Sequence, residues 1–171
     1  MIRRILLALT LTAPLAIVAC SQGGDSEISV EEPYARQTIG LGTTGAAYMV
    51  IRNTGSGDDR LIAASSPNAT SVEMHTHEKD GDVMRMRMID GIDIPAGDVV
   101  TLQPGGLHLM LFEVMEGLQV DATVPMTLTF EKAGEISTMV SVVATGGGAP
   151  ANHGEMDHGA MDHGGMDHTG Q

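Results

Sequence analysis

Between Glu27 and Val143 the chain reads as short runs, most of them alternating apolar with polar residues or β-branched, and no stretch of about a dozen residues carries a helical period. Such alternation is what a strand with one buried face produces. The candidate strands are Glu27–Tyr34, Ala46–Asn53, Arg60–Ser65, Ser71–His77, Val83–Ile89, Val99–Leu102, Leu107–Glu113, Met126–Glu131 and Ser137–Val143. Between them lie Asn53-Thr54-Gly55-Ser56-Gly57, Ser66-Pro67-Asn68, Lys79-Asp80-Gly81-Asp82, Pro95-Ala96-Gly97-Asp98, Gln103-Pro104-Gly105-Gly106 and Lys132-Ala133-Gly134. These residues supply turn geometry. Strands separated by turns about every ten residues predict an all-β domain over 27–145, a two-sheet Greek-key sandwich.

The two ends read differently. Arg3 and Arg4 precede the apolar run Ile5–Val18, which Pro14 interrupts and the polar stretch Ser21–Asp25 follows. This is the layout of an export signal over 1–19 rather than of a retained membrane span. Its last residues, Ile17-Val18-Ala19-Cys20, resemble a bacterial lipobox, which implies lipidation of Cys20 and a short tether over 20–26. A secretory signal without lipidation is the alternative, and both export the chain. By analogy with Gram-negative lipoproteins, Ser21 after the cysteine favours the outer membrane in such a host. At the other end, 146–171 opens with Gly146-Gly147-Gly148-Ala149-Pro150 and continues with Met156-Asp157-His158, Met161-Asp162-His163 and Met166-Asp167-His168. With almost no apolar surface besides methionine, this Gly-rich linker and repeat is expected to be disordered without a ligand.

Charge and composition narrow the chemistry. The chain carries 22 Asp+Glu against 9 Lys+Arg, so a phosphate backbone is repelled and nucleic acid is excluded as a partner. Thirteen of 171 residues are Met, Trp is absent, and Phe and Tyr number two each. A single cysteine at the leader boundary leaves no disulfide, Cys-based zinc site or cysteine-ligated cluster for the domain. Thioether and imidazole remain as soft-metal ligands.

All seven histidines lie either in the domain, at His75, His77 and His108, or in the tail, at His153, His158, His163 and His168. Met74, Met84, Met86, Met88 and Met110 lie near the first group. Alternate strand residues share a face at about 6.6–6.8 Å, so His108 points with Met110, and Met84, Met86 and Met88 point together. Thioether with imidazole favours copper(I), whereas magnesium or calcium would need oxygen clusters. Thioether also escapes capture into disulfides in an oxidising compartment. Taken singly, the methionines fit flexible core packing and His75 or His77 fits a surface histidine; their co-occurrence with the His/Met tail and export signal favours copper.

The spacing His75, ten residues, Met86, twenty-one residues, His108-x-Met110 resembles the pattern of the periplasmic copper chaperone family PCuAC. Asp80-Gly81-Asp82-Val83-Met84-Arg85-Met86, Ile94-Pro95-Ala96-Gly97, the segment Leu102–Leu111, Ala47-Tyr48-Met49 with Asn53-Thr54-Gly55, and Leu128–Gly134 are similar as well. The chain departs from that family at Tyr34, where a Trp is usual, and at Asp121-Ala122-Thr123, which replaces a Gly-containing turn. The resemblance implies a cupredoxin-like sandwich that binds one copper(I) through His75, Met86, His108 and Met110. It also implies delivery to respiratory oxidase assembly, through an oxidase subunit or a second copper chaperone. Outside that motif, Met84 and Met88 fit either a sulfur-lined rim or a continuation of the buried face, and His77 fits a substitute ligand.

In the tail, Met156, Met161 and Met166 add thioethers and His153, His158, His163 and His168 add imidazoles beside carboxylates, a mixture suited to both copper(I) and copper(II). A flexible tail of this kind raises the local copper concentration near the core site. The expected function is therefore extracytoplasmic, periplasmic where the host has two membranes, and held at the membrane through a lipid. It is a binding and transfer protein and not an enzyme: no nucleophile elbow, His-Glu-x-x-His or phosphate loop is present. The alternative is a copper buffer or resistance lipoprotein without a dedicated recipient. Blue-copper electron transfer is excluded, because it needs a thiolate.

Overall fold

The computed structural model describes residues 24–81 and 83–145. The leader, Cys20 and the whole His/Met tail lie outside the described residues.

Ten strands form in chain order: β1 Ile28–Arg36, β2 Thr43–Asn53, β3 Asp59–Ser65, β4 Ser71–Asp80, β5 Val83–Met88, β6 Ile92–Ile94, β7 Val99–Leu102, β8 His108–Val114, β9 Thr123–Phe130 and β10 Gly134–Val143. The hydrogen-bonded order is β5-β4-β8-β2-β1-β10-β9-β3-β6, with β7 on β2. A single β3–β4 register pair, Ala64 opposite Val72, joins distant parts of that path, so both layers of the sandwich wrap one core. Most pairs are antiparallel; β1 and β10 run parallel from Tyr34 to Arg36. Non-consecutive neighbours such as β4–β8–β2 give the Greek-key crossing.

The expected strands all form, with ends shifted by a few residues. Ile92–Ile94 is an addition to them, because a three-residue apolar-acid-apolar run is too short to show a period. Lys79 and Asp80, read as turn, extend β4 instead, since Asp80 pairs with Val83 across a two-residue connection in which Gly81 takes φ 64°. Pro33 sits inside β1 at a register shift between Glu31 and Tyr34, where a missing N–H breaks no ladder bond. In the turn Asp121-Ala122-Thr123, Asp121 adopts φ 66°, a left-handed conformation usual for glycine.

Core side chains come from one face of each long strand: Ala47, Met49 and Ile51 from β2, Leu109 and Leu111 from β8, Met126, Leu128 and Phe130 from β9, Val140 and Val142 from β10. Buried Asn53 closes one end, donating to the Gly57 and Ile94 carbonyls and accepting from the Glu27 and Gly55 amides. Leu109 is fully buried between His108 and Met110 and holds β8 against the core. Leu109→Ala is expected to lower unfolding free energy by about 2–5 kcal/mol, read as a reduced denaturant midpoint with unchanged slope.

Candidate metal centre

Opposite residues of an antiparallel pair share a face, so register alone shows which side chains meet. His75 pairs with His108 of β8 and with Met88 of β5; His77 pairs with Met86; Glu73 pairs with Met110. The strands β5, β4 and β8 thereby bring Met84, Met86, Met88, His75, His77, His108 and Met110 to one face, the one turned away from the core. Met74, one residue out of phase, is buried in the core behind them.

The histidines are held individually. His108 is 2% exposed, and its Nδ1 hydrogen-bonds the Gly106 carbonyl at 2.9 Å, which requires N–H at Nδ1 and leaves Nε2 with the lone pair. Burial pushes its pKa below the ordinary histidine range; the Gly106 carbonyl opposes this, and His77 and His75 add to the lowering. The neutral, metal-competent imidazole is therefore favoured. His75 Nε2 lies 2.9 Å from Glu73 Oε2, while His75 Nδ1 is buried and has no hydrogen-bond partner. Leaving a ring nitrogen buried and unpaired carries a cost that a bound metal ion removes. The His75 and His108 ring centroids are 5.9 Å apart, compatible with two imidazoles on one ion at metal–nitrogen distances of about 2.0 Å.

His77 stands closer still to His108, at 5.1 Å between centroids, with its Nδ1 3.5 Å from the same Gly106 carbonyl. Even so, among the described residues no three His, Cys, Asp or Glu side chains are already grouped to hold a metal. Completion of a site from the described face therefore falls to sulfur.

That sulfur is accessible. All of β5 is exposed, with Met84 at 56%, Met86 at 47% and Met88 at 63%. A continuation of the buried face through Met84 and Met88 is thus ruled out, because the β4–β5 hairpin projects past the core. Its opposite face carries the ion pairs Arg85–Asp80 and Arg87–Glu78 instead of apolar contacts. Met110, by contrast, is half-buried on β8. An exposed edge thioether facing rigidly held imidazoles can close on an ion and open again.

Three supporting groups were not legible from residue type: Glu73 on His75, the Gly106 carbonyl on His108, and Tyr48, whose ring lies 6.4 Å from that of His108. The first two stand two residues before the histidine they orient, the only trace they leave in the sequence. Cys20, His153, Met156, His158, Met161, His163, Met166 and His168 lie outside the described residues.

Comparison with known proteins agrees with this architecture. Residues 28–142 match the family "Putative lipoprotein LpqE-like". The chain is 34% identical over 118 residues to "Putative lipoprotein Lxx21020" of Leifsonia xyli subsp. xyli (strain CTCB07), spanning 68% of this chain and 70% of the relative. The copper-bound PCuAC domain from PmoF2 superposes with a TM-score of 0.60 at 32% identity, covering 69% of this chain and 93% of that domain. The solution structure of Cu(I)-DR1885 from Deinococcus radiodurans gives 0.53 at 30% identity, covering 77% and 87%. The order of strands, the face they present and these likenesses converge: the chain belongs to the LpqE-like lipoprotein family and has the PCuAC fold.

Proposed function

We propose that this protein is an extracytoplasmic copper chaperone, anchored through a lipid on Cys20, that carries copper(I) on His75, Met86, His108 and Met110. The observation that carries the reading is the buried, unpartnered Nδ1 of His75 on a face that also presents His108 and the two thioethers. Two imidazoles with two thioethers suit the softness and the roughly tetrahedral preference of copper(I). The copper-bound state of the PmoF2 domain and of DR1885 supports the same cargo. Binding and release without turnover, with delivery toward respiratory oxidase copper sites, completes the reading.

The test is an anaerobic copper(I) titration against a chromophoric chelator, on the soluble chain from Ser21 onward with the tail histidines and methionines replaced by alanine. One tightly bound copper is expected, and Met86→Ala should weaken it more than Met84→Ala or Met88→Ala. Equal losses at all three would mean a diffuse thioether surface and not a defined ligand. The surplus of exposed sulfur beyond four ligands favours a second reading, a copper buffer. Deletion of the gene separates them: lost oxidase activity at low copper indicates delivery, whereas copper sensitivity with intact oxidase indicates buffering.

A further inference from the structure

Arg36 is out of place. Of the five arginines among the described residues, four have a carboxylate partner: Arg52 with Glu31, Arg60 with Asp93, Arg85 with Asp80 and Arg87 with Glu78. Arg36 has none among those residues, in a chain with 22 acidic side chains, and its Nε is buried without a hydrogen-bond partner. The guanidinium lies over the Tyr48 ring, 5.6 Å from its centroid. It lines a cavity of about 260 Å³ together with Tyr48, Thr38, Ala46, Met110 and Thr145. A cation thus shares a cavity with a methionine assigned to bind another cation, and an anion seated there would offset the charge of both.

The described residues end at the same cavity. Arg36 pairs with Val143 at the end of β10, Gln37 N donates to the Val143 carbonyl at 2.8 Å, and Thr145 is part of the cavity wall. Beyond Thr145 the chain runs on through Asp157, Asp162 and Asp167, each between a methionine and a histidine. We infer that the Arg36–Tyr48 cavity is a carboxylate receptor for this chain's own C-terminal segment, seating one Met-Asp-His aspartate beside Met110. Guanidinium recognises carboxylate through paired N–H donors, and the partly dehydrated position strengthens that bond. Asp157 follows Thr145 of the cavity wall by about twelve residues, most of them small, and a linker of that length and composition gives an effective concentration on the order of millimolar. A weak carboxylate–guanidinium contact is therefore sufficient to populate the docked form. Seating any of the three aspartates sets a thioether and an imidazole one residue away from the cavity Met110 lines, a hand-over point between tail and core. This purpose rests on the copper-chaperone reading; the docking itself does not.

The experiment is run on the copper-free soluble chain Ser21–Gln171, which has no cysteine, with a nitroxide attached at Gly164→Cys. Paramagnetic broadening of Thr44, Ala46 and Met110 amide signals is expected, with Leu128 and Ala133 unaffected. Arg36→Gln should abolish it, and so should the triple change Asp157→Asn, Asp162→Asn, Asp167→Asn, which lies outside the sandwich and leaves its core intact. No broadening at the cavity overturns the inference. Broadening that survives the aspartate changes also overturns it, because the segment would then be held by something other than its carboxylates. If the tail leaves the cavity signals unmoved while added acetate or an acidic peptide shifts them, the receptor serves another carboxylate source and the assignment of the tail as occupant fails. The copper(I) titration of the tail-substituted chain is independent of every one of these outcomes.

Discussion

His108→Ala should remove tight copper(I) binding from the folded domain, while His77→Ala should cost no more than the about 10–100-fold typical of losing a supporting group. The asymmetry follows from how each ring is held. His108 is buried, its tautomer is set by the Gly106 carbonyl, and it projects from the same strand face as Met110. His77 has only a 3.5 Å approach to that carbonyl, already occupied by His108, and sits where the hairpin begins to leave the core. The affinity loss for His108→Ala is expected to exceed the about 10–100-fold that removal of a ligand's hydrogen-bond partner costs. Chelator competition on both variants decides the matter. A larger loss for His77→Ala than for His108→Ala would mean that the imidazole directly opposite Met86 in register is the ligand, and the assignment by motif spacing would fall.

The second large effect is structural and far from the metal face. Asp59 begins β3 and is buried, accepting hydrogen bonds from Ser26 Oγ at 2.6 Å and from the backbone amides of Arg60, Lys132 and Ala133 at 2.7, 3.0 and 2.9 Å. It ties the start of the domain and the β9–β10 turn to one carboxylate. Asp59→Ala leaves these donors unpaired and is expected to cost about 3–5 kcal/mol, since each orphaned buried group costs about 1–3 kcal/mol and such losses are not additive. Burial by itself would raise this carboxyl's pKa, but the bonds from Ser26, Lys132, Arg60 and Ala133 outweigh it and hold the pKa below the usual aspartate value. A folded-state pKa depressed below the unfolded one contributes stability that is fully present above the unfolded pKa of about 3.9 and is lost as pH falls through the folded pKa. Urea unfolding from about pH 7 to about pH 2 checks the sign. The parent should lose stability on the acid side, and Asp59→Asn should start lower and show a shallower decline. An equally steep acid limb in Asp59→Asn would place the titrating carboxylate elsewhere.

Strand existence was legible where one-sided burial writes itself into alternate positions, as with Val124, Met126, Leu128 and Phe130 in Thr123–Phe130. It failed at Ile92–Ile94, which is too short for a period and forms because β3 offers it an edge through Asp59, Arg60 and Leu61. The β4–β5 hairpin shows a different limit. Alternation of Met84, Met86 and Met88 with Val83, Arg85 and Arg87 says that the two sets face opposite ways, but not which face meets the core. The structure shows that neither does, because the hairpin runs beyond the layer it would have to pack against.

Residue type and the period-two geometry of a strand were enough for the class of fold and for reading the histidines and methionines as soft ligands; the choice of His75, Met86, His108 and Met110 among them came from the resemblance in spacing to the PCuAC family. Packing between distant segments supplied the rest. Cross-strand register put His75 opposite His108 and His77 opposite Met86. The loop before β8 supplied the Gly106 carbonyl that sets a tautomer. The parallel pairing of β1 with β10 placed Arg36, near the start of the domain, beside the end of the last strand and Thr145. Register and burial are properties of how remote parts of the chain meet, and residues as far apart as Arg36 and Val143 carry no local pattern that announces their meeting.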